Sequence, residues 1–516
     1  MESHLFITCH LVITKMNHNS LGYRTLRGML WGYIGKLSEF ALAFVFSIIV
    51  ARTLGPAIYG HYNLFISIIA TLLLFSSLGF DAILNKFIPQ LKTEGRMAAA
   101  FLLFHKIFWG RFLIISVLGV IVWINSPFLT TFFADEVFYR YSLLFVLLLL
   151  GRGIQDLLIA FLNALLKLKE ITIVYALSQL LGIAIMVILF MYSGLSLKAV
   201  LQAVFFSTAL SIALFLFLSM KLSAGHAEGY VYNLKPYLRF GLSVWQITLL
   251  TYAVSATLNV LLMGRILKDP LQIGFYSTAV LFSYLPGNLV GSWAKIILPV
   301  MSETKMRYGL DGVSEAFVGF SKVIFIMLIP TLLFLGRYAN IMVLSLFGEK
   351  FIPSVLLIQV YVFFALIALM AVPHLGVNTL YALDKEKLVL RIRFIAGGLN
   401  IALVLLLISL FKALGVMIAG SIAVTFQTIA EFLAVRRYVP MKYPLGYLFK
   451  ITISGMGGLL LFAWFPVKNL TAVIIVGVLY LVTLFIIFHF IRLLTPEDKK
   501  FLSRMHPALA AIVKYF

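Results

Sequence analysis

Ionisable side chains set inside long apolar stretches are the residues of this sequence that call for a chemical explanation. Seven basic ones interrupt such stretches: Lys36, Lys106, Arg111, Arg140, Arg152, Lys295 and Lys322. In hydrocarbon a charge is expensive unless it is paired or wetted, so each marks a functional site by default. Lys106, Lys295 and Lys322 stand a turn or two from a stretch end and can snorkel to headgroups. Arg140 stands near the opposite interface, Arg111 and Arg152 lie deeper, and Lys36 is in an early turn. Lys36 and Glu39 are three apart and Arg152 and Asp156 four apart, each pair on one helical face. Such pairs hold helices together as readily as they serve a guest. Asp81 and Glu431 have no local partner. With Glu39 and Asp156 they are the candidates for binding a coupling proton or sodium ion. Lys36, Arg111 and Arg152, with Arg52 and Arg265, are the candidate anion ligands. Guanidinium forks and ammonium groups bind phosphoryl oxygens strongly, so a phosphate or pyrophosphate is the natural guest. Gln246, Asn259, Gln359 and Gln427 could bond sugar hydroxyls or merely join helices.

Reaction chemistry finds no support. HExxH, GxSxG and GKS/T patterns do not occur in a credible setting, so neither a catalytic centre nor a P-loop for ATP-driven transport is expected. Cys9 is the only cysteine, which excludes an intrachain disulfide or a cysteine-based metal site. No cofactor is expected beyond coupling to H+ or Na+.

The elements that must position these residues follow from composition. The chain has 516 residues, 62% of them hydrophobic and 12% charged, with a mean hydropathy of +1.05. A polar surface cannot cover such a chain. It reads as an all-α, polytopic membrane protein with about fourteen transmembrane helices, since the apolar runs are continuous and lack the two-residue alternation of a barrel. The spans fall at 31–54, 58–84, 99–124, 138–165, 171–192, 196–219, 237–264, 272–299, 316–337, 353–383, 388–411, 414–437, 447–465 and 470–493. The layout is an N-terminal segment with an interfacial helix (1–30), an N-lobe (31–219), a cytoplasmic linker (220–236), a C-lobe (237–437), two further helices (447–493) and a cytoplasmic tail (494–516). Lys and Arg on the terminus side outnumber those opposite by about three to one, which places both termini in the cytoplasm. That bias absorbs most of the formal +22 charge without nucleic acid. The opening residues do not read as a signal peptide, and Met16 is an alternative start.

The first and seventh spans end alike. ARTLGPAIYGHYNL carries Arg52, Gly60 and Tyr62, and GRILKDPLQIGFYSTA carries Arg265, Gly274 and Tyr276, at offsets of 213–214 residues. Six spans per repeat keep one orientation, so the expected architecture is two six-helix lobes in parallel repeat with a central cleft, plus two trailing helices. A cleft suits alternating access better than a pore, for which no selectivity element is seen.

RGMLWGYIGKLSEF at 27–40, ARTLGPAIYGHYNL at 51–64 and SSLGFDAILNKFIPQL at 76–91 resemble the opening of Wzx-like polysaccharide-biosynthesis flippases of the MOP (MATE-like) superfamily. The resemblance implies translocation of a polyprenyl-pyrophosphate-linked oligosaccharide from the cytoplasmic to the outer leaflet of the cell membrane. It also implies a cationic cavity in the first lobe, for which Lys36, Arg111 and Arg152 are the matching residue types. Implied partners are the lipid-linked glycan, membrane lipids and glycan assembly proteins. The competing expectation is a MATE-like exporter of multiple drugs or organic cations, which would favour an acidic or aromatic cavity.

Overall fold

A computed structural model describes residues 21–223, 233–441 and 443–493, side chains excepted at 21–30, 32–34, 223 and 291–296. The alternative start at Met16, most of the linker, the tail 494–516 and the Lys295 side chain lie outside the described residues.

Among the described residues the regular structure is helical throughout. The helices are α1 (Leu21–Ser77), α2 (Phe80–Thr93), α3 (Met97–Ile124), α4 (Ser126–Phe133), α5 (Val137–Arg140), α6 (Ser142–Ala164), α7 (Leu168–Ser193) and α8 (Leu197–Ser223). They continue as α9 (Lys235–Tyr252), α10 (Ala256–Ile266), α11 (Pro270–Leu346), α12 (Ser354–Leu369), α13 (Leu375–Ala382), α14 (Glu386–Tyr438), α15 (Leu445–Leu461) and α16 (Leu470–Phe490). The expected all-α polytopic class is the observed one. Among the described residues, eight helices are long and apolar enough to cross a membrane, or nine when α9 and α10, bent by 58°, count as one broken span. The apolar parts of α1, α11 and α14 run to 43, 50 and 53 residues, well beyond the roughly twenty that one crossing needs.

The sequence explains where these long helices break. In α1 the only non-helical residue is Gly55, at φ 79°. Pro56 follows, and a proline disfavours the α conformation before it while suiting the first turn of the next helix. The Leu54–Gly55–Pro56 string therefore makes the corner between two spans. In α11 the break is Gly309, and in α14 it is Lys412, at φ 51°. The expected span 353–383 is discontinuous: α12 stops at Leu369 and α13 resumes at Leu375. Pro373 removes a backbone donor there, and Val372 and His374 take positive φ. Tyr443 repairs part of the gap, its hydroxyl donating to the Met370 carbonyl at 2.5 Å.

Two compact units result. Among the described residues, the first comprises Leu26–Ser277 with Ile401–Val416, and the second comprises residues 21–25, 278–400 and 417–493. The first unit packs α2, α3 and α6 around Phe80, Ile83, Leu84, Leu103 and Leu158. Phe104 stacks on Phe161 at 4.1 Å between centroids. Trp245 on α9 donates to the Leu74 carbonyl at 2.9 Å, and Tyr252 meets Thr71 at 2.7 Å. In the second unit α15 and α16 dock through Tyr480, whose hydroxyl reaches the Gly455 carbonyl at 3.1 Å and whose ring stacks on Phe334.

Candidate functional site

Charge in the first unit is concentrated where α2, α3 and α6 meet. Arg111 is 1% exposed. Its Nη1 donates to Asp81 Oδ1 at 2.8 Å, and its Nη2 lies 3.7 Å from Asp156 Oδ2. The guanidinium Nε is buried without a partner. A buried cation survives only with such compensation, and removing it would strand two carboxylates.

The structure corrects two expectations here. Asp156 was expected to pair with Arg152, four residues back; its ion pair is with Arg111 instead. The guanidinium of α3 reaches between α2 and α6, while Arg152 turns toward Gln155 Oε1 at 3.4 Å. Asp81, which has no local partner, acquires a distant one in the same arginine. The expected cationic cavity of Lys36, Arg111 and Arg152 is also narrowed. Lys36 is held by Glu39 at 3.4 Å, and Arg111 by two carboxylates. Of the three cations, Arg111 is buried, Arg152 half-buried and Lys36 exposed, and the carboxylates Glu39, Asp81 and Asp156 pair with Lys36 and Arg111.

Arg152 stands apart within that balance. It is half-buried and donates to a neutral amide. It lines a chamber of about 130 Å³ with Phe46, Ser47, Tyr62, Tyr175, Gln179 and Ser207. The Tyr175 hydroxyl accepts from Arg152 and also meets Gln179. Gln155 is itself clamped, its Nε2 donating to Ser211 Oγ at 2.8 Å. A guanidinium steadied by neutral groups keeps its charge for a guest, whereas one closed between carboxylates does not. The volume is near that of an engineered cavity that holds one benzene, roughly 150 Å³. It admits a phosphoryl group and excludes an oligosaccharide in this conformation.

The repeat motifs do something else. Gly60 and Gly274 face each other's chains: a Cβ on Gly60 would land on the Pro270 carbonyl, and one on Gly274 on the Pro56 carbonyl. The two Pro-x-x-x-Gly segments thus dock reciprocally, backbone on backbone. Arg265 serves the same junction. Its Nη1 donates to the Phe132 carbonyl at 2.9 Å, and its guanidinium lies 4.4 Å from the Phe132 ring centroid. Arg52, on the corner before Gly55, is exposed. Neither lines the chamber of Arg152.

Residues 25–305, just over half of the chain, match the family model described as polysaccharide biosynthesis protein. The chain belongs to the polysaccharide biosynthesis protein family. Both the charged cluster and the reciprocal glycine contact of this polysaccharide biosynthesis protein lie inside the matched region. No curated protein matches the chain by sequence. Among solved structures, the lipid II flippase MurJ in an inward closed conformation superposes with a TM-score of 0.70, over 90% of this chain and 99% of that one, at 15% identity. A multidrug resistance MATE family transporter of the MOP superfamily, inward-facing, gives 0.61 over 78% and 97% at 13% identity. The Vibrio cholerae MATE transporter gives 0.56 over 80% and 96% at 11% identity. At such identities the likeness is one of fold.

Elsewhere in this polysaccharide biosynthesis protein, Glu431 occupies a cluster of the second unit. It is 3% exposed and accepts from Gln427 Nε2 at 3.0 Å. Gly376 lies against it, and the charge of Arg393 acts on both Glu431 and His374. Sequence reading missed Gln155, Tyr62, Tyr175 and Gln179 around Arg152. Gln155 and Gln179 carried a signal, as amides inside apolar spans. Tyr62 sat in plain view in the Gly-x-Tyr repeat.

Proposed function

We propose that this protein is a flippase that moves a polyprenyl-pyrophosphate-linked oligosaccharide from the cytoplasmic to the outer leaflet by alternating access. It crosses the cytoplasmic membrane fourteen times with both termini inside, the N-lobe being 31–219 and the C-lobe 237–437. The observation that carries this reading is Arg152, a half-buried guanidinium steadied by an amide and a phenol in a chamber of phosphoryl size. The planar fork donates to two oxygens of one pyrophosphate, which a lysine cannot match. Arg111 holds α2, α3 and α6 in register through Asp81 and Asp156, and Lys36 with Glu39 lies one span away. The sugar hydroxyls cross in water and the polyprenyl tail remains in lipid, because each unsatisfied polar group in hydrocarbon costs several kcal/mol. The driving force comes from H+ or Na+ at the buried carboxylates, Glu431 included, or from the membrane potential, worth about 2.3 kcal/mol per charge per 100 mV. Glycan assembly proteins are the partners that supply and consume the cargo.

The competing reading is MATE-like export of organic cations, and the aromatic chamber of Tyr62 and Tyr175 speaks for it. It needs carboxylates free for the cation. Asp81 and Asp156 are engaged by Arg111 and Glu39 by Lys36, so the flippase reading accounts for the site better. Translocation of a labelled polyprenyl-pyrophosphate glycan in proteoliposomes tests the choice. Transport by the native chain and its loss in Arg152→Ala support the flippase. Export of organic cations without glycan transport assigns the protein to the other class.

A further inference from the structure

A polar pair near the junction of the two repeat motifs has no part in the chamber of Arg152. His61 Nδ1 lies 2.5 Å from Asp135 Oδ2, and the pair joins positions 74 residues apart. The Asp135 side chain is 4% exposed and that of His61 27%. Asp135 is fixed independently of its partner. Its other oxygen accepts from the Val137 N–H at 3.0 Å, and its own N–H donates to the Thr130 carbonyl at 3.0 Å. The pair also sits at a crowded crossing. His61 follows Gly60, which abuts the Pro270 carbonyl, and Asp135 follows the α4 residues Phe132 and Phe133 that Arg265 and Gly264 dock against.

We propose that His61 and Asp135 form a proton-binding site reached from the outer side, and that a proton held there fastens α4 against α1 and keeps that end of the first unit closed. The inference rests on the orientation proposed above, in which the 125–137 segment faces outward. With a neutral imidazole, Nδ1–H donates to the carboxylate and Nε2 accepts the incoming proton. The proton comes from solvent and stays on the ring; no other bond changes. The bond, already charge-assisted through the carboxylate, then becomes an ion pair and strengthens. Other charged groups on the surrounding elements have partners of their own. Arg265 is bound to Phe132, Glu136 faces Arg140 at 3.8 Å, and Asp269 caps the Leu271 N–H at 3.0 Å. Arg52 and Lys268 are the further cations on those elements, and the ion pair seen at Asp135 is with His61. Acid outside therefore favours the closed outer end, the state to which a flippase must return after releasing its cargo.

Hydrogen exchange on the full chain in nanodiscs, corrected for intrinsic rates, tests this without any glycan. Between about pH 8 and about pH 5.5, the range over which imidazoles titrate, amides of 126–137 should gain roughly tenfold protection. His61→Gln keeps a neutral hydrogen bond and cannot titrate. It should fold, show the protection of the native chain at the higher pH, and lose the response. Equal protection of the native chain at both pH values, or a full response retained in His61→Gln, overturns the proposal. In sealed right-side-out vesicles the response should follow the outer pH. A response that follows the inner pH alone overturns the outer access while leaving the pair intact, and neither result depends on whether glycan is transported.

Discussion

Two polar clusters, one in each compact unit, solve the same problem differently. In the first unit Arg111 is closed between Asp81 and Asp156, and Arg152 is steadied by neutral groups beside an open chamber. In the second unit a single carboxylate, Glu431, is buried against Gly376 and bonded by Gln427. The first arrangement spends two carboxylates on one cation and thereby leaves another cation available. The second holds one buried acid bonded by an amide, with the charge of Arg393 acting on it. The difference teaches that total charge is a poor guide to a membrane site. The first-unit cluster is neutral as a whole, and its anion-binding capacity lies in how the pairs are distributed.

Breaking the first cluster should have the largest effect. Arg111→Leu leaves two carboxylates without their cation, and should destabilise the protein by up to about 3 kcal/mol. The measurement is the detergent-solubilised melting temperature, with Asp81→Asn plus Asp156→Asn on the same background restoring part of the loss. A normal melting temperature in Arg111→Leu would erase the distinction between the two arginines.

Packing at a glycine sharpens the comparison next. Gly60→Ala pushes a methyl onto a backbone carbonyl that cannot swing away, and should cost about 1–3 kcal/mol. Gly376→Ala meets the Glu431 side chain at 3.1 Å, which can give slightly, and should cost less. Equal melting temperatures would show that the reciprocal contact of the first unit is not the tighter one.

Glu431→Gln removes the charge and keeps the shape, so its stability should change by less than about 1 kcal/mol in either direction. Its effect should appear in the dependence of transport on ion gradients. The smallest effect is expected at Asp384, held by Lys305 at 2.7 Å on the surface. The Lys305 hydrogen bond and charge push its carboxyl below the usual range. A depressed carboxyl contributes stability above its ordinary range and loses it as pH falls through the lowered value. Asp384→Asn should therefore lower neutral-pH melting slightly and leave melting at acid pH unchanged, so that the acid limb of a melting curve against pH is flatter.

The class of fold, the hairpin corners and the repeat were readable in the sequence because they depend on local signals. Apolar runs give spans, Gly55–Pro56 gives a corner, and Gly60 and Gly274 stand at matched offsets. Pro373 hinted at the break in the span 353–383, yet nothing local foretold positive φ at Val372 and His374. Pairing at the site was not readable, because the partners come from different helices. Arg111 lies 30 residues from Asp81, and spacing rules speak only of neighbours one turn apart. That is why Asp156 was assigned to the arginine on its own helix. The contact of Arg265 was not readable for a related reason: its partner, the carbonyl of Phe132, lies 133 residues away.

The central claim is that Arg152, and not Arg111, is the hand that holds the phosphoryl group. Binding of a polyprenyl-pyrophosphate-linked glycan to purified protein, compared for the native chain, Arg152→Ala, Arg152→Lys and Asp156→Asn, tests it most directly. Loss of a charge-assisted phosphoryl contact worth roughly 1.5–3 kcal/mol should weaken binding about ten- to a hundredfold in Arg152→Ala, with folding intact. Arg152→Lys should recover only part of it, and Asp156→Asn should bind as well as the native chain or better. Native affinity in Arg152→Ala, with folding intact, would contradict the account.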